Sequence, residues 1–205
     1  MDYVHPVEAM IPGVHGRILG VLSRSELEMT IRTAARLARA SPQQASVVIT
    51  ELVRLGVASR REVGTSALVS LERENLVAQI VLTLANLHQG ALDRLIARAQ
   101  AMSPAPASLT VFGSFVRGEA YAESDLDVLA VRPLDVDAQA DAWTDALGRW
   151  EASARRIVGN SVNTIVVGFD EIPALLRRRS GPWRAIAREG VVLAGAPVTT
   201  LAESA

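Results

Sequence analysis

The first part of the chain carries apolar side chains at the spacing of short helices. Three segments show this spacing, and we predict a helix in each: residues 18–22, 30–37 and 42–55. The third segment has the clearest start, because Ser41 favours the N-cap position and Pro42 favours the first helical position. Strand-like composition then surrounds Gly64 and Thr65, which predicts a β-hairpin over residues 57–71.

The next segment predicts a long helix and then a domain boundary. Apolar positions recur at helical intervals over residues 74–102, which predicts one linking helix with a kink near residues 88–90. Two prolines and several small residues break this pattern at residues 103–108, as a linker does. Three helices followed by a hairpin are the element order of a winged helix-turn-helix. We therefore predict a DNA-binding domain of that class over residues 1–73.

Beyond this boundary, apolar strand-like segments alternate with helical ones. Three strands are predicted at residues 109–112, 126–131 and 162–169, and two helices at residues 138–156 and 171–179. Trp183 and the apolar residues after it predict an element that closes the core, and residues 199–205 are expected to fray. Strands separated by helices predict an α+β fold, with a small sheet domain over residues 103–198.

The composition is that of an ordinary globular protein in a reducing compartment. Of the 205 residues, 49% are hydrophobic and 21% charged, which excludes disordered and fibrous classes of protein. The absence of cysteine excludes disulfides, thiolate metal ligands and a cysteine nucleophile. The chain shows neither an apolar run long enough to span a membrane nor a secretory signal. We expect a soluble, cytoplasmic protein with no membrane partner.

Positive charge is concentrated between the start of the predicted second helix and the hairpin. Residues 32–61 hold six arginines against the single acid Glu51, although the net charge of the whole chain is −1. If the third helix enters a DNA major groove, polar residues near its start face the base edges and nearby arginines meet phosphates. The residues expected to contact DNA are Gln43, Gln44, Ser46, Arg54, Arg60 and Arg61. The alternative is a winged helix that serves dimerisation or packing, with solvated arginines.

The sharpest chemical pattern is a Gly-Ser pair after one strand and two alternating aspartates on the next. Asp125 and Asp127 stand at i and i+2, so on a strand they project to the same side and can hold one or two hard cations. Gly113 and Ser114 stand between a strand and a predicted short helix, where backbone amides favour phosphate oxygens. The pattern predicts a nucleoside triphosphate site in which Mg²⁺ or Mn²⁺ bridges the phosphates to the two aspartates.

The segment FGSFVRGEAYAESDLDVLAV resembles the Gly-Ser…Asp-x-Asp signature of the DNA polymerase β superfamily, in particular its minimal nucleotidyltransferases. The resemblance implies that Gly113 and Ser114 contact the triphosphate, with help from Arg117. It also implies that Asp125 and Asp127 are catalytic metal ligands. The order of winged helix, long helix and this motif resembles prokaryotic fusions of the two modules, and some relatives of the minimal nucleotidyltransferases act in toxin–antitoxin systems.

One position departs from the pattern of that superfamily. Active members usually carry a third carboxylate on a later strand, and Asn163 stands in its place among the candidate catalytic residues. An amide cannot be a general base near neutral pH, and Asp170 is poorly placed to substitute. Two functions therefore stay open. One is an NTP- and metal-dependent nucleotidyltransferase with an RNA, protein or small-molecule acceptor. The other is a DNA-binding transcriptional regulator whose degenerate domain senses nucleotide or dimerises. A homodimer is expected because winged helices usually bind paired half-sites.

Overall fold

The structure is a computed structural model that describes residues 1–178 and 181–204. The chain divides into two units. One unit contains Asp2 and residues 4–87, and the other contains Met1, Tyr3 and the chain from His88 onward. Within the described ranges, no helix is both long and apolar enough to cross a membrane.

Helices and a small antiparallel sheet make up the first unit. Its helices are α1 (Pro6–Met10), α2 (Val14–Ser23), α3 (Ile31–Leu37), α4 (Pro42–Arg54) and α5 (Leu76–Ala85). Its strands are β1 (Met29–Thr30), β2 (Ala58–Val63) and β3 (Ser66–Leu71). β3 lies at the centre of the sheet and pairs antiparallel with both β1 and β2. One hydrophobic core joins these elements, and its fully buried members include Ile18, Leu22, Ile49 and Val69.

The ends of α4 follow from its sequence. Ser41 Oγ accepts a hydrogen bond from the Gln44 backbone N–H at 3.1 Å, and the Gln44 side chain accepts one from the Ser41 N–H at 3.2 Å. This reciprocal capping box fixes the start of the helix. Gly56, with φ of 71°, follows the C-cap residue in the left-handed conformation that glycine tolerates best. The predicted helices and hairpin are present, and their assignment to the winged helix-turn-helix class stays a prediction.

The single linking helix predicted over residues 74–102 is corrected to two helices. α5 is followed after one residue by α6 (Leu87–Gln100). The residue between them, Asn86, donates from both its backbone N–H and its side-chain amide to the carbonyl oxygen of Leu82. A short polar side chain that takes up a helix carbonyl in this way favours a helix end. The two units divide just after α6 begins, so the apolar stripes of α5 and α6 serve different units.

The second unit is a mixed sheet covered by helices. Besides α6, its helices are α7 (Asp141–Val158), α8 (Ile172–Leu176), α9 (Trp183–Glu189) and α10 (Val198–Ser204). Its strands are β4 (Ser108–Phe112), β5 (Leu126–Arg132), β6 (Val162–Gly168) and β7 (Val191–Gly195). The strand order is β6-β5-β4-β7, in which only the β5–β6 pair is parallel. The predicted strands are all present, and β7 is the element that closes the core.

Side chains alternate between the two faces of this sheet. Leu129 and Val131 of β5 and Val167 of β6 pack on one face, in a core shared with residues of α8, α9 and α10. Val166, one position away on β6, faces the other side, where it adjoins residues of α7. The sheet therefore has helices on both faces, in agreement with the predicted α+β class.

The end of the chain is more ordered than the sequence predicts. Residues 199–205 are expected to fray, but α10 covers most of them because Val198 and Leu201 pack into the core. The helix predicted over residues 171–179 is shorter, since α8 follows a single 3-10 turn and ends after five residues. Arg179 and Ala205, which belong to these two predicted segments, lie outside the described residues.

Candidate functional site

The register of three strands places the predicted site at one edge of the sheet. Asp127 of β5 pairs with Phe112, the last residue of β4, and with Asn163 near the start of β6. Asp127 has the same parity along β5 as Leu129 and Val131, so all three side chains lie on one face. The two apolar residues are buried under helices, whereas Asp127 is only half-buried. The carboxylate therefore emerges where the helical cover of that face ends.

Gly113 lies directly against the Asp127 carboxylate. A Cβ at Gly113 would stand 2.7 Å from Asp127 Oδ2, closer than real Cβ atoms approach an oxygen. Gly113 also has φ of 79°, which side chains other than hydrogen rarely accept. Both constraints require glycine here. With no side chain at position 113, Asp127 Oδ2 lies directly against the backbone of this turn.

Asn163 contacts Asp127 across the parallel pair. Its side-chain Nδ2 donates to Asp127 Oδ1 at 3.1 Å, and the Asn163 residue is exposed. The position predicted for a third carboxylate is thus beside Asp127, but an amide donor occupies it. An amide can orient a water or a ligand but cannot accept a proton at neutral pH.

Asp125 lies in the loop before β5, and a residue that the sequence did not single out fixes this loop. The side-chain amide of Asn160 donates to backbone carbonyl oxygens at Tyr121, 3.0 Å, and Ser124, 2.8 Å, with a longer 3.3 Å contact at Ala122. Asp125 itself is exposed. Asn160 has no recognisable motif around it, so only the folded contacts identify it as a positioning residue for Asp125.

The Gly-Ser segment is a series of turns and not the short helix that was predicted. Within residues 113–118, the Arg117 N–H donates to the Gly113 carbonyl and the Gly118 N–H donates to Phe115. Among the described residues, no hydrogen-bond acceptor faces the backbone N–H of Ser114. A helix dipole therefore cannot be invoked here, but free backbone amides in such a turn still favour an anion.

His88 anchors the same turn from α6, a second contact that the sequence did not reveal. Its Nε2 lies 2.7 Å from the Phe115 carbonyl oxygen, so the ring donates there. Tyr3 packs edge-on against Phe115 at 4.9 Å between centroids, and its hydroxyl donates to the Val158 carbonyl at 2.9 Å. Burial raises the pKa of Tyr3 to about 12. These contacts hold the turn that carries Gly113 and Ser114 in place.

Arg117, predicted to assist triphosphate binding, is held by two carboxylates. Its guanidinium donates to Glu119 at 2.8 Å and to Glu189 of α9 at 2.7 Å. Hydrogen bonding to Glu119 and then to Glu189 raises the pKa of Arg117, and hydrogen bonding to Arg117 lowers the pKa of Glu189. In this arrangement the charge of Arg117 is directed to the protein and is not available to a phosphate.

Asp170 lies at the opposite end of the sheet from Asp127. On β6, Asn163 pairs with Asp127 and Gly168 pairs with Arg132, five residues along each strand. At the usual rise of a strand this separates the two pairs by about 16 Å. Asp170 follows Gly168 and cannot supply the missing carboxylate.

The donor atoms at the Asp127 edge suit a hard divalent cation in type. Asp125 and Asp127 offer carboxylate oxygens, and the Asn163 side chain also carries an amide oxygen. In the part of the chain that the structure describes, no group of three or more His, Cys, Asp or Glu residues stands together. The donor types fit a cation held through two charged ligands, with the Gly113 backbone on one side of Asp127 and the Asn163 amide on the other.

The residues predicted to read DNA bases lie near the start of α4. Gln43 is exposed and Ser46 half-buried. Gln44 Oε1 accepts from the Ser41 N–H in the capping box, so this side chain is held at the start of the helix while the box is intact. At the first turn of α4, Gln43 is therefore better placed than Gln44 to contact a DNA base.

The hairpin arginines are paired with acids that the local charge count did not include. Arg60 Nη2 lies 2.8 Å from Glu62, and Arg61 forms a close ion pair with Glu28. Hydrogen bonding to Arg61 lowers the pKa of Glu28 and, reciprocally, Glu28 raises the pKa of Arg61. Arg54 is exposed, and no ion pair to it is found among the described residues. These ion pairs therefore reduce the positive charge that the hairpin presents.

Comparison with known proteins supports one part of the chain. No curated protein and no solved structure matches the chain significantly. The family model described as Nucleotidyltransferase domain matches residues 92–174, which run from α6 into α8. This range contains Gly113, both aspartates and Asn163. The match supports the prediction of a nucleotidyltransferase domain in this part of the chain.

Proposed function

We propose that the protein is a nucleotidyltransferase that uses an NTP and Mg²⁺, or Mn²⁺, to transfer a nucleotidyl group to an acceptor. The observation that carries this proposal is the contact between Gly113 and the Asp127 carboxylate, within a segment that matches the nucleotidyltransferase family. Glycine is required there, and the carboxylate lies directly against a turn with a free amide. Phosphate, cation and carboxylate are the groups that such an edge brings together.

The residues divide the work of binding. Asp125 and Asp127 would hold the divalent cation, which supplies electrostatic stabilisation of the triphosphate as charge develops on the departing pyrophosphate. The Ser114 N–H and the Gly113 turn receive phosphate oxygens, while His88 and Asn160 keep the two loops in place. Arg117 assists only if its contacts with Glu119 and Glu189 open.

The transfer itself makes one bond and breaks one. An acceptor hydroxyl oxygen attacks the α-phosphorus, the new P–O bond forms, and the bond to the bridging oxygen breaks so that pyrophosphate leaves. The acceptor hydroxyl must also lose a proton. Because Asn163 cannot accept it, the proton passes to solvent or to the substrate phosphate, and transfer is slower than with a carboxylate at this position.

The setting of this activity is also part of the proposal. The first unit, as a winged helix-turn-helix, binds DNA through Gln43, Ser46 and Arg54, and through Arg60 and Arg61 once their ion pairs open. The acceptor is an RNA, a protein or a small molecule, and the protein works in the cytoplasm as a homodimer. A toxin–antitoxin system is the setting that the resemblance to the minimal nucleotidyltransferases suggests.

A transfer assay tests the enzyme. The protein is incubated with each α-³²P-labelled NTP, Mg²⁺ or Mn²⁺, and RNA, DNA or cell extract. We expect wild type to attach label to a macromolecule or small acceptor and Asp125→Asn to lose that transfer. Label transferred equally by both proteins would remove Asp125 from the site.

A second function is favoured by Asn163 itself. The third ligand position holds an amide that donates to Asp127, and Arg117 is engaged by two carboxylates, as in a domain that has lost its reaction. The protein would then be a DNA-binding regulator that senses nucleotide. No transfer with any NTP, together with a DNA gel shift that responds to NTP, would favour this function over the enzyme.

A further inference from the structure

A basic groove lies between α6 and α7 in the second unit, apart from the residues of the candidate site. Arginines line both of its walls, two from each helix: Arg94, Arg98, Arg149 and Arg156. The groove has a volume of about 720 Å³, within the range of ligand-binding sites. All four arginines are exposed, and none has a carboxylate within ion-pair distance among the described residues.

The spacing of these arginines suits an extended anion. Arg94 and Arg98 are one turn apart on α6, so their side chains lie on the same face. Arg149 and Arg156 are two turns apart on α7, about 10 Å along the helix axis. Charge is therefore spread along the groove on both sides, whereas a single phosphate needs only one cluster.

The rest of the lining indicates what kind of anion fits. Apart from the arginines, the lining side chains are apolar or carry a hydroxyl, as with Ser103 and Ser153. No Asn, Gln, Asp or Glu is present among the described lining residues, so the groove lacks the side chains that usually pair with adenine and cytosine edges. Arginine and serine contacts without such groups are the pattern of phosphate and sugar recognition, which is independent of sequence.

A second feature of the groove is the buried indole of Trp150. The residue lines the groove and is 2% exposed, and its indole N–H is buried with no acceptor among the described residues. Buried donors are normally paired, and exceptions call for an explanation such as a bound ligand or water. Within the described residues, this wall of the groove therefore holds one buried donor without a partner, in addition to the exposed arginines.

We propose that the groove between α6 and α7 binds the phosphodiester backbone of a single nucleic-acid strand. If the proposed function holds, this strand is part of the acceptor, and the groove keeps the acceptor on the enzyme. That role in transfer rests on the proposed function, whereas binding of the strand does not. α7 lies on the opposite face of the sheet from Asp127, and it ends two residues after Arg156, shortly before β6 brings Asn163 to the site. A strand in the groove is thus bound separately from the NTP.

Fluorescence anisotropy with the full-length protein tests this groove. The probes are labelled single-stranded RNA and DNA of one mixed sequence, in EDTA and without NTP, so that failure of transfer chemistry cannot affect the result. We expect Arg94→Gln/Arg149→Gln, one change on each wall, to weaken binding at least tenfold. The slope of log K against log salt should fall by about 1.4, as expected for two lost contacts to a single strand.

A matched control separates the groove from general charge. Arg155→Gln/Arg184→Gln removes the same net charge as the first double variant. Arg155 is on α7 but pairs with Glu151, and neither Arg155 nor Arg184 lines the groove. This control should change affinity less than twofold. A stronger effect with RNA than DNA, or equal effects with both, identifies the strand and supports the groove in either case. Equal losses for both double variants, or no binding by wild type at low salt, would overturn the proposal, as would arginine-dependent binding of inorganic triphosphate alone.

Discussion

At the scale of single residues, the proposed nucleotide site depends most on Gly113. Gly113→Ala places a methyl group against Asp127 Oδ2, so we expect Mg²⁺-dependent NTP binding to weaken at least tenfold. The left-handed backbone adds about 1–2 kcal/mol of destabilisation, measured by urea unfolding. Gly118→Ala is the matched control. Gly118 has φ of 70° but open space around its Cβ position, so this variant should show the same loss of stability and keep its affinity for NTP. Equal NTP affinities for the two variants would contradict the role given to Gly113.

Asn163 allows a gain of function to be tested. Asn163→Asp places a carboxylate beside Asp127, where it can bind the cation and accept a proton from the acceptor. We expect the rate of transfer to rise, by about 10²-fold if proton transfer limits it. Asn163→Ala removes the amide contact with Asp127 without adding a carboxylate, and should not raise the rate. An Asn163→Asp variant no faster than wild type would show that the missing carboxylate does not limit transfer.

The residue scale also shows how far the sequence alone reaches. The Gly-Ser and Asp-x-Asp spacing identified the edge of the sheet, because strand alternation and the glycine requirement are local properties. Asn160 and His88 escaped notice since their contacts depend on loops that meet only in the folded chain. The engagement of Arg117 by Glu189, 72 positions away, could not be read from a local motif either.

At the scale of elements, the capping box of α4 gives a stability prediction. Ser41→Ala removes the hydroxyl that accepts from the Gln44 N–H, whereas the backbone N–H at position 41 can still donate to the Gln44 side chain. The free energy of unfolding should therefore fall by about 1 kcal/mol. Chemical denaturation followed by circular dichroism measures this. Ser46→Ala, farther along the same helix, is the control and should leave stability unchanged or raise it slightly. Equal losses for both variants would deny the cap its role.

The hairpin arginines give a second prediction at this scale. Glu28→Gln breaks the ion pair that holds Arg61, so DNA affinity at low salt should rise by a factor on the order of three as one more cation meets a phosphate. Glu26→Gln makes the same change in net charge at an exposed acid for which no ion pair is found among the described residues. If Glu26→Gln raises affinity as much in a gel-shift titration, the gain reflects net charge alone and Arg61 has no specific role.

The bounds of some helices could be predicted from the sequence, and those of others could not. The starts and ends of α4 and the hairpin were predictable because caps and turn glycines are local signals. The break between α5 and α6 was not, since both segments carry apolar stripes of helical period and only their burial in different units separates them. The final helix was not predictable either, because Val198 and Leu201 gain their partners only after the sheet has formed.

At the scale of the whole molecule, two units with different proposed ligands share one chain. The first unit is proposed to bind duplex DNA and the second to bind NTP and a single strand, so the sites should be separable by variants. Variants of Arg54 should affect duplex binding alone, whereas variants of Arg94 and Arg149 should affect single-strand binding alone. The proposed nucleotidyl transfer depends on neither of these surfaces but on the sheet edge that carries Gly113, Asp125 and Asp127.

Titration calorimetry of the full-length protein with NTP, with and without Mg²⁺, tests this claim most directly. Asp127→Asn is compared with Asp170→Asn, which removes the same charge at the opposite end of the sheet. We expect metal-dependent NTP binding by wild type and Asp170→Asn, with affinity lowered at least tenfold in Asp127→Asn. Equal NTP binding by both variants, or wild-type binding that does not depend on the metal, would contradict it.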